Sequence, residues 1–314
     1  MAYSRQMQDS NLYSFYFAPR GNRRMADLGM QLSQMYLSPF DHIIGIIGDA
    51  GAGKSLLIKG MFPGLDLTND DEGVNIRPLP LLHEDLSDSF SPHTYHLDIR
   101  FESAFTQMHV LAEAILEAAG YGKMVIVEHF ELIHPFLKRN ADLLVGIGEE
   151  IIITRPNMFG PLPENIARIV HKSVAYRKMA HTLEDLCVYF MGEGYAQDGP
   201  RSDVRHGFVL LFEEKPSVDL HWLEEQVREA VKKDLPVSYY DENHVQIGDH
   251  VMECLGPRMH ISSTGKIEEF TLIKDYPQDP ATGYYMLIGL IGSNRTEDIH
   301  DLNRIDLNRQ LHRS

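Results

Sequence analysis

The chain has 314 residues, 43% hydrophobic and 24% charged, the balance of a soluble globular protein of about two domains. Its 45 acidic against 29 basic residues give a formal net charge of -16, which argues against extensive non-specific nucleic-acid binding. No apolar run approaches the roughly 20 residues of a membrane span, the N-terminus lacks a secretory h-region, and Cys187 and Cys254 are too few for a disulfide scaffold, so a cytoplasmic protein with no membrane partner is expected.

Residues 1–40 read as a polar lead followed by a helix from Arg24 to Tyr36. The run Ile43-Ile44-Gly45-Ile46-Ile47 reads as a buried strand, and Leu56–Met61 as the start of a helix. An acidic, turn-rich loop at 65–73 precedes a strand at Thr94–Ile99 and a helix ending near Gly120. Met124–Val127 and Ile151–Thr154 are further short apolar strands. Alternation of apolar strands with helices predicts a parallel sheet covered on both faces over 41–155. The breaker cluster Arg155–Pro163 marks a domain boundary. Beyond it come a helix at Glu164–Phe190, a strand at Gly207–Phe212 and a helix at Leu220–Lys233. Short strands around Val237–Tyr240, Phe270–Lys274 and Tyr284–Gly289 complete an α+β domain over 164–295, and 296–314 form a polar tail.

Between the first strand and its helix lies Gly48-Asp49-Ala50-Gly51-Ala52-Gly53-Lys54-Ser55, which fits G-x-x-x-x-G-K-[ST] at every fixed position. Glycines let successive backbone N–H groups turn inward around phosphate oxygens, and a helix N-terminus adds a favourable field. Lys54 is expected to reach the β- and γ-phosphates of ATP, and the Ser55 hydroxyl to ligate Mg²⁺. Asp98 and Glu128 close the next two apolar strands, at the end of a parallel sheet where ligands sit. They are the candidate carboxylates for the metal shell and for catalysis.

These blocks, with Tyr95-His96-Leu97-Asp98-Ile99-Arg100 and Val127-Glu128-His129-Phe130-Glu131, resemble the TsaE family of small bacterial P-loop ATPases. That family serves the pathway making threonylcarbamoyladenosine in tRNA. The resemblance covers about residues 41–154 and implies ATP hydrolysis with Asp98 and Glu128 as functional carboxylates. The chain departs from the family pattern at His129, which replaces a tryptophan. Arg100 comes one position early, and Val74–Pro78 lacks the threonine-rich switch.

In the second half His181 and Asp185 share a helix face at i and i+4, and Cys254 and His260 lie close together in the chain. One Asp, one Cys and two His would make a chemically acceptable zinc shell. Residues 172–292 resemble the second additional domain of alanyl- and threonyl-tRNA synthetases and of free-standing editing hydrolases. The resemblance runs through Ala180–Leu186, the turn Gly194–Gly199, Arg205–Phe212 and the block Met259–Phe270. It implies a metal site of two histidines, a cysteine and a further histidine. His181 and His260 match that pattern. Asp185 replaces the other histidine, and Gly256 stands where the cysteine belongs, leaving Cys254 two positions early.

The expected fold is an α/β P-loop NTPase domain with a parallel sheet, followed by an α+β tRNA synthetase second-additional-type domain. Three functions remain open: an ATPase acting in tRNA modification or aminoacyl-tRNA metabolism, a kinase of a nucleoside or other small metabolite, and a nucleotide-dependent regulator. The expected partners are a nucleoside triphosphate, a tRNA or aminoacyl or nucleoside ligand, and a protein partner.

Overall fold

A computed structural model of the protein describes residues 13–69, 76, 78–88, 91–157, 159–195 and 201–292. The polar lead before residue 13, positions 70–75 and 77, the turn residues 196–199 and the tail 296–314 lie outside the described residues. The described residues divide into two compact units. One holds 13–16 and Arg23–His171, the other Phe17–Asn22 and 172–292. The sequence places its boundary at Arg155–Pro163, whereas the division falls after His171, within a helix that continues to Met191.

The first unit is built on a six-stranded sheet of order β1-β6-β5-β2-β4-β3. Its strands are β1 (Ser14–Phe17), β2 (Ile43–Gly48), β3 (Thr94–Asp98), β4 (Met124–Glu128), β5 (Leu143–Ile147) and β6 (Glu150–Thr154). Strands β3, β4, β2 and β5 run parallel. The sheet is mostly rather than wholly parallel, because β6 turns back antiparallel to β5 through a tight hairpin in which Gly148 N donates to Glu150 O at 2.8 Å. Every residue of β2 is buried, as a β-branched strand covered on both faces requires.

The helices of this unit are α1 (Asn22–Tyr36), α2 (Lys54–Met61), α3 (Pro80–His83), α4 (Ile99–Glu102), α5 (Met108–Gly120) and α6 (Phe130–Leu137). Leu111, Ile115 and Ala118 of α5 and Phe130 and Ile133 of α6 pack with Ile43, Leu97 and Val127 in one apolar core. Ile166 and Val170, at the start of α7 (Pro163–Met191), complete it.

The second unit has its own core, in which Leu183, Leu186 and Cys187 of α7 meet Leu223 and Val227 of α8 (Leu220–Lys232). Two antiparallel sheets accompany them. One has the order β11-β10-β9, from His250–Glu253, His244–Ile247 and Val237–Asp241. The other has the order β12-β13-β8-β7, from Phe270–Leu272, Tyr285–Ile291, Gly207–Phe212 and Arg201–Val204. Thr264 anchors the intervening loop, donating to Ala230 O at 2.7 Å and accepting from Leu235 N at 2.8 Å.

Candidate functional site

Strand β2 ends at Gly48 in the middle of the sheet, and the chain then turns into α2 through Asp49-Ala50-Gly51-Ala52-Gly53. Gly51 at φ 75° and Gly53 at φ 92° take left-handed conformations that a Cβ would strain. Gly53 is the N-cap of α2 and offers no side-chain cap, so the first backbone N–H groups of the helix face the turn. Ser55 stands in that first turn, and Lys54 is 8% exposed. The Lys54 ammonium donates to the Asp49 carbonyl at 3.2 Å and lies 3.5 Å from Glu128 Oε2.

Register explains why the two carboxylates stand together. Asp98 is the Cα partner of Glu128 across β3 and β4, and Glu128 in turn pairs with Ile46 of β2. Asp98 caps α4 by accepting from Phe101 N at 3.1 Å, and its second oxygen accepts from Asn69 Nδ2 at 3.2 Å. Glu128 is held by His96, whose Nε2 is 3.0 Å from Oε1. Thr68 N donates to His96 Nδ1 at 3.1 Å, so that nitrogen carries the lone pair and Nε2–H donates to Glu128. Burial opposes charge on Glu128, but the His96 hydrogen bond and the nearby Lys54 charge outweigh it and hold its carboxyl below the usual 4.5. Oxygen or nitrogen atoms of Asp98, Glu128 and His129 all lie within 4.8 Å of one another.

The sequence reading missed Thr68, Asn69 and His96 here. His96 had a signal: two positions before Asp98 on a strand, it shares that residue's face. Thr68 and Asn69 had none, because their role depends on the fold of an irregular loop. Lys138 and Arg139, a short basic pair between β4 and β5, stand away from the loop. Arg139 bonds Asp142 at 2.7 Å, and Asp142 accepts from His42 N and Ile43 N at the start of β2, the end away from the loop.

In the second unit the four candidate ligands converge. Cys254 Sγ lies 3.2 Å from His181 Nε2 and 3.3 Å from His260 Nε2, and His260 Nε2 lies 3.4 Å from Asp185 Oδ2. Zinc bonds of about 2.0–2.3 Å in a tetrahedron require donor separations of roughly 3.3–3.7 Å, so a slight expansion of this set would admit the ion. The two imidazoles stack with centroids 4.5 Å apart.

Their outer nitrogens are fixed. The Thr182 hydroxyl donates to Lys178 O at 2.9 Å, so toward His260 Nδ1 at 3.2 Å it accepts, and the proton sits on Nδ1. His181 Nδ1 faces Glu184 Oε2 at 3.5 Å, and Arg20 Nε holds that same oxygen at 3.1 Å. Both Nε2 lone pairs therefore point into the cluster, the arrangement that partners of metal-binding histidines impose. Burial, with the neighbouring His181, keeps His260 neutral by pushing it well below its usual 6.5, and the neutral ring is the ligating form.

The sequence reading missed Glu184 and Arg20: Glu184 had a signal, three residues after His181 on the same helix, and Arg20, remote in sequence, had none. Cys187 is a separate buried thiol, raised above its usual range by burial.

No protein-family model matches this chain, and no curated protein matches it. The function is therefore argued from the two constellations themselves. Among the described residues, no helix is long and apolar enough to cross a membrane.

Proposed function

We propose that the first unit binds ATP at Gly48–Ser55 and hydrolyses it. The observation that carries this reading is the position of the Lys54 ammonium. It is held between the Asp49 carbonyl and Glu128 at the head of a glycine-turned loop that ends a central parallel strand. Phosphate oxygens entering the loop would meet backbone N–H groups and draw Lys54 off Glu128. Glu128, kept anionic and aimed by His96, is then free to orient the attacking water. Ser55 and Asp98 would hold Mg²⁺, which when bound shields the phosphate charge.

Hydrolysis is preferred to phosphoryl transfer to a metabolite because, among the described residues, the basic pair Lys138-Arg139 supplies no lid: Arg139 is tied to Asp142 at the far end of β2. A kinase of this type would need a cationic lid over the phosphates.

His181, Asp185, Cys254 and His260 fit Zn²⁺ by their donor chemistry. Four protein donors complete a tetrahedral shell, which is the composition of a structural rather than a catalytic zinc site. The ion would fasten α7 to the 254–260 loop. The second unit then serves recognition of an aminoacyl or nucleoside group, in keeping with its synthetase-like sequence, and the chemistry belongs to the first unit.

The test follows labelled ATP with pure protein, tRNAs, nucleosides and amino acids. Label appearing as free phosphate supports hydrolysis, and label on a metabolite supports the kinase. Calorimetry with Lys54→Ala should show affinity for Mg·ATP reduced by about 100-fold or more, the loss of a charge-assisted contact. Unchanged affinity in that variant would remove the nucleotide reading.

A further inference from the structure

We propose that Thr68 and Asn69, consecutive residues in the loop between α2 and α3, are positioning residues of the hydrolytic site, and that His96 aims Glu128 without carrying its proton. This rests on the nucleotide reading for the reaction, though not for the geometry.

The sheet puts these groups on one face. His96 and Asp98 stand two positions apart on β3, and their register partners on β4 are Ile126 and Glu128. Thr68, His96 and Glu128 are all buried. Thr68 N donates to His96 Nδ1 at 3.1 Å, the Thr68 hydroxyl lies 3.1 Å from the same nitrogen, and the Thr68 carbonyl accepts from Ile76 N at 3.1 Å. Asn69 donates from Nδ2 to Asp98 Oδ2 at 3.2 Å. Two neighbouring residues of one loop therefore secure both candidate carboxylates, one through an imidazole and one directly.

The polarity of these bonds decides what His96 can do. An imidazole nitrogen facing a backbone N–H must accept, so the single proton of the neutral ring sits on Nε2, toward Glu128 Oε1 at 3.0 Å. A side chain that passes a proton along needs an acceptor on its far side. On the far side of His96 stands Thr68, whose amide only donates, and a hydroxyl donating beside it reinforces the same arrangement. His96 is a fixed donor.

The same bond chooses between the oxygens of Glu128. Oε1 is taken by His96, and Oε2 lies 3.5 Å from Lys54 Nζ. Once nucleotide phosphates hold the ammonium, Oε2 is the oxygen that water meets. As the water oxygen bonds the γ-phosphorus, the bond from that phosphorus to the leaving diphosphate breaks. The water proton passes to Oε2 and from there to the released phosphate, and none leaves through His96.

The experiment uses the full chain. Nitrogen NMR of isotopically labelled protein, at mildly alkaline pH, reads the ring nitrogens of His96, identified by their loss in His96→Gln. The Nε2–H tautomer is expected. ATP turnover and Mg·ATP calorimetry are then compared in Thr68→Val, Asn69→Ala, His96→Leu and His96→Gln. His96→Leu should lower kcat by about 10–100-fold, the loss of a hydrogen bond to a charged group, with Mg·ATP affinity within about threefold of wild type. His96→Gln keeps an N–H donor and should recover kcat to within about tenfold of wild type. Thr68→Val should lower kcat by about 3–10-fold in wild type and not at all in His96→Leu, because it acts only through the imidazole. Asn69→Ala should raise the Mg²⁺ concentration for half-maximal turnover by about 3–10-fold.

An Nδ1–H tautomer overturns the proposal whatever the turnover. So does a His96→Gln variant as slow as His96→Leu, which would make the imidazole a proton carrier. Variants that lose thermal stability while keeping kcat and the Mg²⁺ requirement overturn it too, since the bonds would then serve only the fold. Wild type that shows the Nε2–H tautomer but binds no Mg·ATP defeats the nucleotide reading instead, with the geometry intact.

Discussion

A Cβ on Gly256 would stand 2.4 Å from the carbonyl oxygen of Arg20, closer than any side chain allows. The cysteine that the synthetase-like pattern expects at 256 therefore has no room, and the thiol is supplied from Cys254, which accepts from Gly256 N at 3.3 Å. Gly256→Ala should destabilise the second unit by about 1–3 kcal/mol, the usual cost of overpacking against immobile backbone. Gly256→Cys should lower zinc content rather than raise it. Thermal unfolding and elemental analysis check the two outcomes.

Removing Arg20 should reach the His181, Asp185, Cys254 and His260 cluster without touching it. Its guanidinium bonds Glu184 at 3.1 Å and Gly207 O at 3.0 Å, and Glu184 stands behind His181. Arg20→Met takes a guanidinium away from a fully buried carboxylate and should destabilise the second unit by about 3–5 kcal/mol. Zinc affinity, measured by chelator competition, should fall by about 10–100-fold, the usual effect of losing an outer partner of a ligand. Pairing it with Glu184→Gln should recover much of the stability but not the affinity.

Glu128→Gln should leave Mg·ATP binding nearly intact while turnover falls by about 100-fold or more, because the amide cannot serve as a base toward water. The same residue contributes to pH dependence. Its folded pKa lies below its usual 4.5, so its stabilisation is complete above 4.5 and is lost as pH falls through the lower folded value. Urea unfolding across that acid range should be less steep with pH in Glu128→Gln than in wild type.

Glu224 should govern acid stability in the other unit. Burial opposes its charge, but bonds from Lys274, Leu272 N and Arg228 outweigh it and bring its pKa down to about 2. The stabilisation is full above 4.5 and disappears between 4.5 and about 2. With 14% of the side chain exposed, solvent screening limits its worth to about 1–2 kcal/mol. Glu224→Gln should flatten the unfolding free energy of the second unit over that interval.

The glycine turn at 48–53 between strand and helix and the convergence of His181 with Asp185 were legible because both depend on spacing within one local element. Cys254 and His260 followed from being six residues apart. Pairing between strands was harder to read. Leu143–Ile147 contains a glycine and is joined to Glu150–Thr154 by two residues, so its strand went unpredicted and the antiparallel course of β6 with it. Helix α6 was hidden by Pro135, which near the end of a helix disturbs only the last turn. His96 acquires its role from a neighbouring strand and Arg20 from residues far along the chain, relations that no local pattern encodes.

The second unit is discontinuous: it takes in Phe17–Asn22, while residues 13–16 and the remainder of α1 belong to the first. Arg20 and the Gly207 carbonyl that it bonds are separated by 187 positions. At ribosomal speeds of roughly 5–20 residues per second, about 10–40 seconds pass between their syntheses. During that interval the first unit can fold before Glu184 and the Gly207 carbonyl, both of which Arg20 bonds, have all been made. The segment 17–22 can therefore take its place in the second unit only after a much later part of the chain has been made. A fragment beginning at Lys172 would lack that segment altogether, and one ending at His171 would carry it with no seat. Neither half is a faithful substitute for the whole chain.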